Sequence, residues 1–193
     1  MNAVNRRPNY YILMNNSTQN VTLNSAFILD IINQYEGKPE FQNHLKEMAS
    51  AHELSDPMGQ VPIKLYNDMC NWIESQIGKT NARQLGRKIG NTVYRNMLEM
   101  KLVKKETTPL ALMKGLKRVT ELVIKDPEKR GWEILSSGRK QIIMRRTQTF
   151  NGALQSGLLD ELIRKTKVFS PKVEYLQSIA NGDEYDDYKI TWI

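Results

Sequence analysis

The sequence predicts an α+β protein, with an N-terminal helical lobe packed on a four-stranded antiparallel sheet. Three observations predict it. Apolar residues recur at helical spacing through residues 21–126, and the period changes to alternation after Gly131. The chain then closes on YKITWI, where Tyr188, Ile190 and Trp192 share one face and Asp187, Lys189 and Thr191 the other. Large apolar residues so close to a terminus read as the inward face of a last strand, in a sheet covered on one side only. The expected organisation is one domain, 1–193: an N-terminal arm or strand over 1–20, a helical part over 21–126 and a ββαββ part over 131–193.

In the first helix Ser25 is the candidate N-cap and Gly37 the C′ residue, with Phe27, Ile28, Ile31, Ile32 and Tyr35 at helical spacing. Pro39 suits the first turn of a second helix, whose apolar face is Phe41, Leu45 and Met48. SDPMGQVP, residues 55–62, reads as a loop. A third helix runs from near Pro62 to Gly78. Its stripe of Ile63, Tyr66, Cys70, Ile73 and Ile77 is widened by Leu65, Met69 and Trp72, which implies burial between other elements. The fourth helix, about 81–102, carries Leu85, Ile89, Val93 and Met97, with Gly86 and Gly90 beside that row. A glycine inside a helix costs about 1 kcal/mol against alanine, so two of them one turn apart point to close approach by another backbone or by a ligand. Thr108 and Pro109 open a fifth helix, with Leu112, Leu116, Val119 and Val123 facing inward, and Asp126-Pro127 closes it.

The β part reads as two hairpins around a helix. Strands Trp132–Leu135 and Gln141–Phe150 turn at Ser136-Ser137-Gly138. The helix is capped by Asn151 and carries Leu154, Leu158 and Leu162 on one side. KVEYLQSIA and YKITWI form the second hairpin, joined through Gly182 and Asp183.

Composition narrows the function classes. The 193 residues are 40% hydrophobic and 25% charged, with a single cysteine. Cys70 therefore has no partner for an internal disulfide, and a zinc cluster of cysteines is excluded. No apolar run approaches the roughly 18–20 residues of a membrane span, and Tyr10–Met14 is too short for a signal peptide's apolar region. A cytoplasmic protein is expected. The net charge of +7 is uneven: residues 79–146 hold 18 Lys/Arg against 6 Asp/Glu, and both flanks are slightly acidic. Such asymmetry marks either a solvated helical surface or a face for phosphate, nucleic acid or an acidic partner.

Catalytic signals are missing. His44 and His52 lie eight residues apart without the third converging ligand that a metal site needs. Cys70 sits on an apolar stripe, where burial makes a thiol inert. GDEYDDY, residues 182–188, does not match a calcium loop and suits a turn. The glycines of LGRKIG fall inside a helix rather than after a strand, so they build no phosphate loop, and no Gly-x-Ser-x-Gly occurs. A non-enzyme with no catalytic residues, no metal and no cofactor is expected. The basic residues Arg83, Arg87, Lys88 and Arg95 on the fourth helix and Arg139, Lys140, Arg145 and Arg146 on the first hairpin would make one anionic-partner patch if the two elements are neighbours. An acidic protein or an anionic headgroup fits it better than nucleic acid, because aromatic interleaving is missing between Arg139 and Arg146.

The ββαββ half, with GALQSGLL (152–159) opening its helix, resembles one superfamily. It contains the 4-vinyl reductase domains, the heme–nitric-oxide-binding domains and the transport-particle (TRAPP) subunits. VPIKLY (61–66), RQLGRKIG (83–90) and the closing Gly182-Asp183 followed by Tyr188-x-Ile190-x-Trp192 are similar to bacterial heme–nitric-oxide-binding-like proteins of unassigned function. Ser178 and Asp186 stand where such relatives often carry cysteines. The Tyr-x-Ser-x-Arg motif of the heme-binding branch is absent from this chain.

The resemblance implies a sensory or small-molecule- or lipid-binding domain without heme. Its pocket would sit under the sheet, lined by Cys70, Ile73, Leu85, Ile89, Val93, Trp132, Ile134 and Trp192, with Gly86 and Gly90 permitting close approach. A relative with an acylated tunnel cysteine makes Cys70 the residue to inspect for modification. The alternative is an interaction scaffold, a homodimer or a docking module, whose basic face binds an acidic protein or nucleic acid.

Overall fold

The computed structural model describes residues 17–193, so most of the arm expected over 1–20 lies outside the described residues. The helical lobe contains α1 (Ala26–Asn33), α2 (Pro39–Met48), α3 (Ile63–Glu99) and α4 (Pro109–Val123). The ββαββ half contains β4 (Trp132–Gly138), β5 (Gln141–Arg146), α5 (Gly152–Arg164), β6 (Lys172–Gln177) and β7 (Asp186–Thr191), with a 3-10 turn at Ile179–Asn181. The four strands form one antiparallel sheet in the order β4-β5-β7-β6. The fold is α+β.

Three short strands were not expected. β1 (Thr22–Asn24) pairs with β2 (Gln60–Pro62) on one side and β3 (Ile124–Lys125) on the other. Strands of two or three residues leave no readable alternation, and β2 falls at the end of the stretch read as a loop. Together they tie the start of α1, the start of α3 and the end of α4 into one knot.

The expected third and fourth helices are two limbs of α3. Gly78 separates them with φ +76° and ψ 163°, and the helix resumes at once rather than at Asn81. The bend lets each limb keep its own buried stripe. α4 begins as its sequence dictates, with the Thr108 hydroxyl accepting from the Ala111 amide at 3.3 Å. α5 does likewise, with Asn151 Oδ1 accepting from the Leu154 amide at 3.0 Å. Ser25 does not cap α1: its hydroxyl donates instead to the Asp56 carbonyl at 2.5 Å and fastens the 55–59 loop to the helix.

The first hairpin turns later than expected. Ser136, Ser137 and Gly138 belong to β4, and Gly138 pairs with Gln141 across a two-residue turn of Arg139 and Lys140. β5 ends at Arg146 rather than Phe150. On the covered face Ile142 pairs with Ile190, Met144 with Tyr188 and Arg146 with Asp186. Trp192 lies one residue beyond β7. It is half-buried against the core, and its amide donates to the Lys140 carbonyl at 3.2 Å.

α3 and α5 pack with their backbones in contact. A Cβ built on Gly86 would fall inside the Leu154 carbonyl, and one on Gly90 would lie 2.9 Å from the Leu158 carbonyl oxygen. Gly157 on α5 meets the Arg83 carbonyl in the same way. Three glycines are thus used to bring two helices together. Buried Asp160 flanks this seam and pairs with Arg87 and Arg164.

Candidate functional site

Two hollows lie on different faces of α5. The first is an apolar cavity of about 280 Å³ between the helical lobe and the sheet. Phe27 of α1, Ile89 and Val93 of α3, and Leu116 and Val119 of α4 form its walls. Trp132 of β4 and Leu158 of α5 close it on the sheet side. Helical spacing puts Ile89 and Val93, like Leu116 and Val119, on single faces turned inward, so local sequence builds each wall. Asn24, Asn96, Thr120 and Gln155 supply its few polar groups, and Tyr66 and Phe150 complete it.

Of the residues expected to line one pocket, Ile89, Val93 and Trp132 meet at this cavity. Cys70, Ile73 and Leu85 are buried in the continuous core instead, and Ile134 and Trp192 pack against that core from its edge. Gly86 and Gly90 face the α5 backbone, which leaves no room there for a ligand. Cys70 is fully enclosed, and burial pushes its thiol well above the ordinary range despite the Tyr66 hydroxyl beside it. Burial raises Tyr35, beside the same thiol, to about 12 and holds Tyr66 well above its ordinary value. These are neutral packing groups at physiological pH.

The second hollow is a polar groove of about 760 Å³ where α3 bends, bounded by the start of α5 and the Ile179–Asn181 turn. Asn71, Glu74, Lys79, Arg83, Arg146 and Asp186 line it, with Phe150 shared between groove and cavity. Asn151 spans its floor, its amide donating to Asn71 Oδ1 at 3.0 Å and to Glu74 Oε2 at 2.5 Å. Arg146 is 2% exposed and pairs with Asp186, while its other terminal nitrogen donates to the Gln148 carbonyl at 2.6 Å. Ser178 is buried beside this network, and its amide donates to Asp183.

The expected basic patch is divided. Arg87 pairs with buried Asp160, Arg145 makes a two-pronged pair with Asp187 at 2.8 Å per contact, and Arg146 is interior. Lys88, Arg95, Arg139 and Lys140 are exposed, and Arg83 is half-buried in the groove. His44 lies against the Trp72 ring with centroids 4.3 Å apart. Among the described residues no cluster of His, Cys, Asp and Glu could hold a metal, and no helix is long and apolar enough to cross a membrane.

No protein-family model matches this chain, and no curated protein sequence matches it. Solved structures do. An H-NOX protein from S. oneidensis in an Fe(II) ligation state superposes with a TM-score of 0.65 at 11% identity, over 89% of this chain and 96% of that one. The chain has an H-NOX-like fold. The same H-NOX source in an Fe(II)NO state gives 0.62 at 12% identity, over 89% and 99% of the two chains. An Fe(II) unliganded H-NOX mutant from K. algicida gives 0.63 at 9%, over 89% and 97%. At such identities the H-NOX likeness is one of fold alone.

Whether this H-NOX-like chain suits an iron porphyrin depends on its donors. The apolar cavity is lined by no histidine, cysteine, lysine or arginine. Its candidate axial donors are Met58, Met100 and Tyr66; the Met58 sulfur already accepts from Asn24 Nδ2 at 3.4 Å, and burial keeps the Tyr66 phenol protonated. No cation stands ready for two propionates, and the volume falls below the roughly 300–1,000 Å³ of pockets for drug-sized ligands. The lining does not fit heme.

The groove has no signature of its own in the sequence, although Arg83 and Arg146 belong to the expected basic patch and Ser178 and Asp186 to the closing hairpin. Its remaining residues come from four separate segments. The signal that could have located it was Gly78, because a helix that bends at a left-handed residue opens a gap beside the bend.

Proposed function

We propose that this protein is a non-enzymatic sensory domain that binds a small, largely apolar molecule without heme, in the cavity where the helical lobe meets the sheet. One observation carries the reading: an H-NOX-like fold retains a hollow of about 280 Å³ whose walls come from both halves. Apolar space of that size, open to solvent beside Met58 and Met100, leaves its walls without dispersion contacts that an apolar ligand would restore.

The lining sets the ligand class. Ile89, Val93, Leu116, Val119 and Leu158 select apolar bulk, and Trp132 offers an aromatic face. Asn96, Thr120 and Gln155 orient one or two polar atoms. Because the walls belong to α1, α3, α4, β4 and α5, occupancy changes how the lobe seats on the sheet. It does so to the extent that the ligand prefers one seating over the other.

The test is native mass spectrometry of the freshly purified protein beside its denatured mass, followed by benzene titration observed by NMR. An adduct that disappears on denaturation, or saturable benzene shifts at Val93 and Leu116, is the expected result. Val119→Trp should abolish either signal by filling the space. A bare chain mass together with no saturable benzene shift overturns the reading. Mass persisting after denaturation would instead mean covalent modification and would also overturn it.

A further inference from the structure

We propose that the polar groove at the bend of α3 is a second binding site, specific for a small oxyanion, a carboxylate or a phosphate. The charges that line it favour an anion. Asp186 is committed to Arg146 and to the Ile179 amide, and Glu74 accepts from Asn151. Lys79 and Arg83 line the same groove and have no ion-pair partner among the described residues. Three cations, Lys79, Arg83 and Arg146, thus face two acids, Glu74 and Asp186, which leaves the groove one positive charge in surplus.

The donors are also unfilled. Arg146 is 2% exposed, yet its Nε has no acceptor, and Arg83 Nε is likewise buried without one. A buried guanidinium N–H without an acceptor is expensive for a fold to hold. Arg83 lines the groove, and an oxyanion there can pair with its guanidinium, because charge-assisted N–H···O bonds are short and strong and one anion accepts from several donors at once. A neutral apolar guest would leave Lys79 and Arg83 without an ionic partner.

The backbone adds to the same field. The N-terminal turn of α5 contributes Gly152, Ala153 and Ser156 to the groove, and a helix N-terminus favours negative charge. The bend at Gly78 sets Lys79 at the opening, where it is exposed, while Arg83 lies one turn deeper and half-buried. The site is built from a fixed interior arginine, a hinge-proximal arginine and lysine, and a helix end. It shares only Phe150 with the apolar cavity, so the two sites stand or fall separately.

The experiment is a titration of the ¹⁵N-labelled full chain with sodium phosphate and with sodium acetate, each against sodium chloride at matched ionic strength. Saturable shifts of Gly152, Ala153 and Asn181 that chloride does not produce are expected. Arg83→Gln should weaken them at least tenfold. Lys79→Gln, at an exposed position that cannot threaten folding, should weaken them several-fold. Saturation by phosphate alone assigns a phosphate-bearing ligand, and saturation by both anions assigns a general oxyanion. Shifts equal to those in chloride, or titrations unchanged in both variants, overturn the proposal.

Discussion

Two arginine–aspartate pairs stand side by side in this sheet. Arg145 faces Asp187 across β5 and β7, and Arg146 faces Asp186 one residue further on. Successive residues of a strand point to opposite faces, so the two pairs live in different solvents. The Arg145 side chain keeps 26% of its exposure, and its guanidinium also covers the Tyr185 ring at 4.4 Å. The Arg146 side chain keeps 3%, on the face shared with Tyr188. Identical chemistry at adjacent positions thus gives an outer clamp across two strands and an interior charge pair at the wall of a groove. A count of basic residues cannot tell them apart.

The two pairs should differ most when one interior partner is removed. Asp186→Ala leaves Arg146 charged and buried, and should cost about 3–5 kcal/mol in urea unfolding. Replacing both partners, Arg146→Met with Asp186→Leu, should recover most of that loss, because an apolar pair of similar volume carries no desolvation penalty. A double variant as unstable as Asp186→Ala would mean that the pair is not the origin of the effect. On the outer face Asp187 is itself buried but Arg145 stays partly open to solvent, so Asp187→Ala should cost less, about 1–3 kcal/mol, because the stranded guanidinium can be hydrated. A larger loss there would show that the outer clamp organises the hairpins.

The smallest expected contrast is at high pH. Burial first of all holds the Tyr188 phenol well above its ordinary value, with Tyr175 and Asp186 pushing the same way and Arg146 pulling against them. Its hydroxyl makes no well-formed hydrogen bond to them. A group whose folded value is raised contributes stability that is complete below the unfolded value near 10 and is lost as pH climbs through the folded value. Tyr188→Phe should therefore flatten the decline in unfolding free energy above pH 10. Tyr185→Phe, at the better solvated outer pair, should change that slope least. Equal slopes for the two variants would contradict the difference in environment.

The sequence determined by itself the order of the principal helices and of the four strands of the larger sheet, and the starts of α4 and α5. Thr108 and Asn151 cap α4 and α5 as read, because a side-chain oxygen before a run of amides acts locally. The inward stripes of α3 and α4 were legible for the same reason, and three of the expected pocket residues meet at the cavity. Ser25 marks where local reading stops. Its hydroxyl was captured by Asp56, thirty-one positions away, so a long-range acceptor displaced the cap.

Tertiary structure alone decided which apolar residues line space and which fill it. Glycines inside a helix, such as Gly86 and Gly90, signal a close approach without naming what approaches; sequence places them beside a ligand pocket, and in the structure the α5 backbone occupies that place. Cys70, Ile73 and Leu85 satisfy the same hydrophobic pattern as Ile89 and Val93, because periodicity reports the direction of a side chain and not what it meets. The groove was beyond local reading for the same reason: its lining comes from α3, the end of β5 and the start of α5, β6, the turn before β7 and the first residue of β7. Direction is a property of the strand or helix; vacancy is a property of the packing between them.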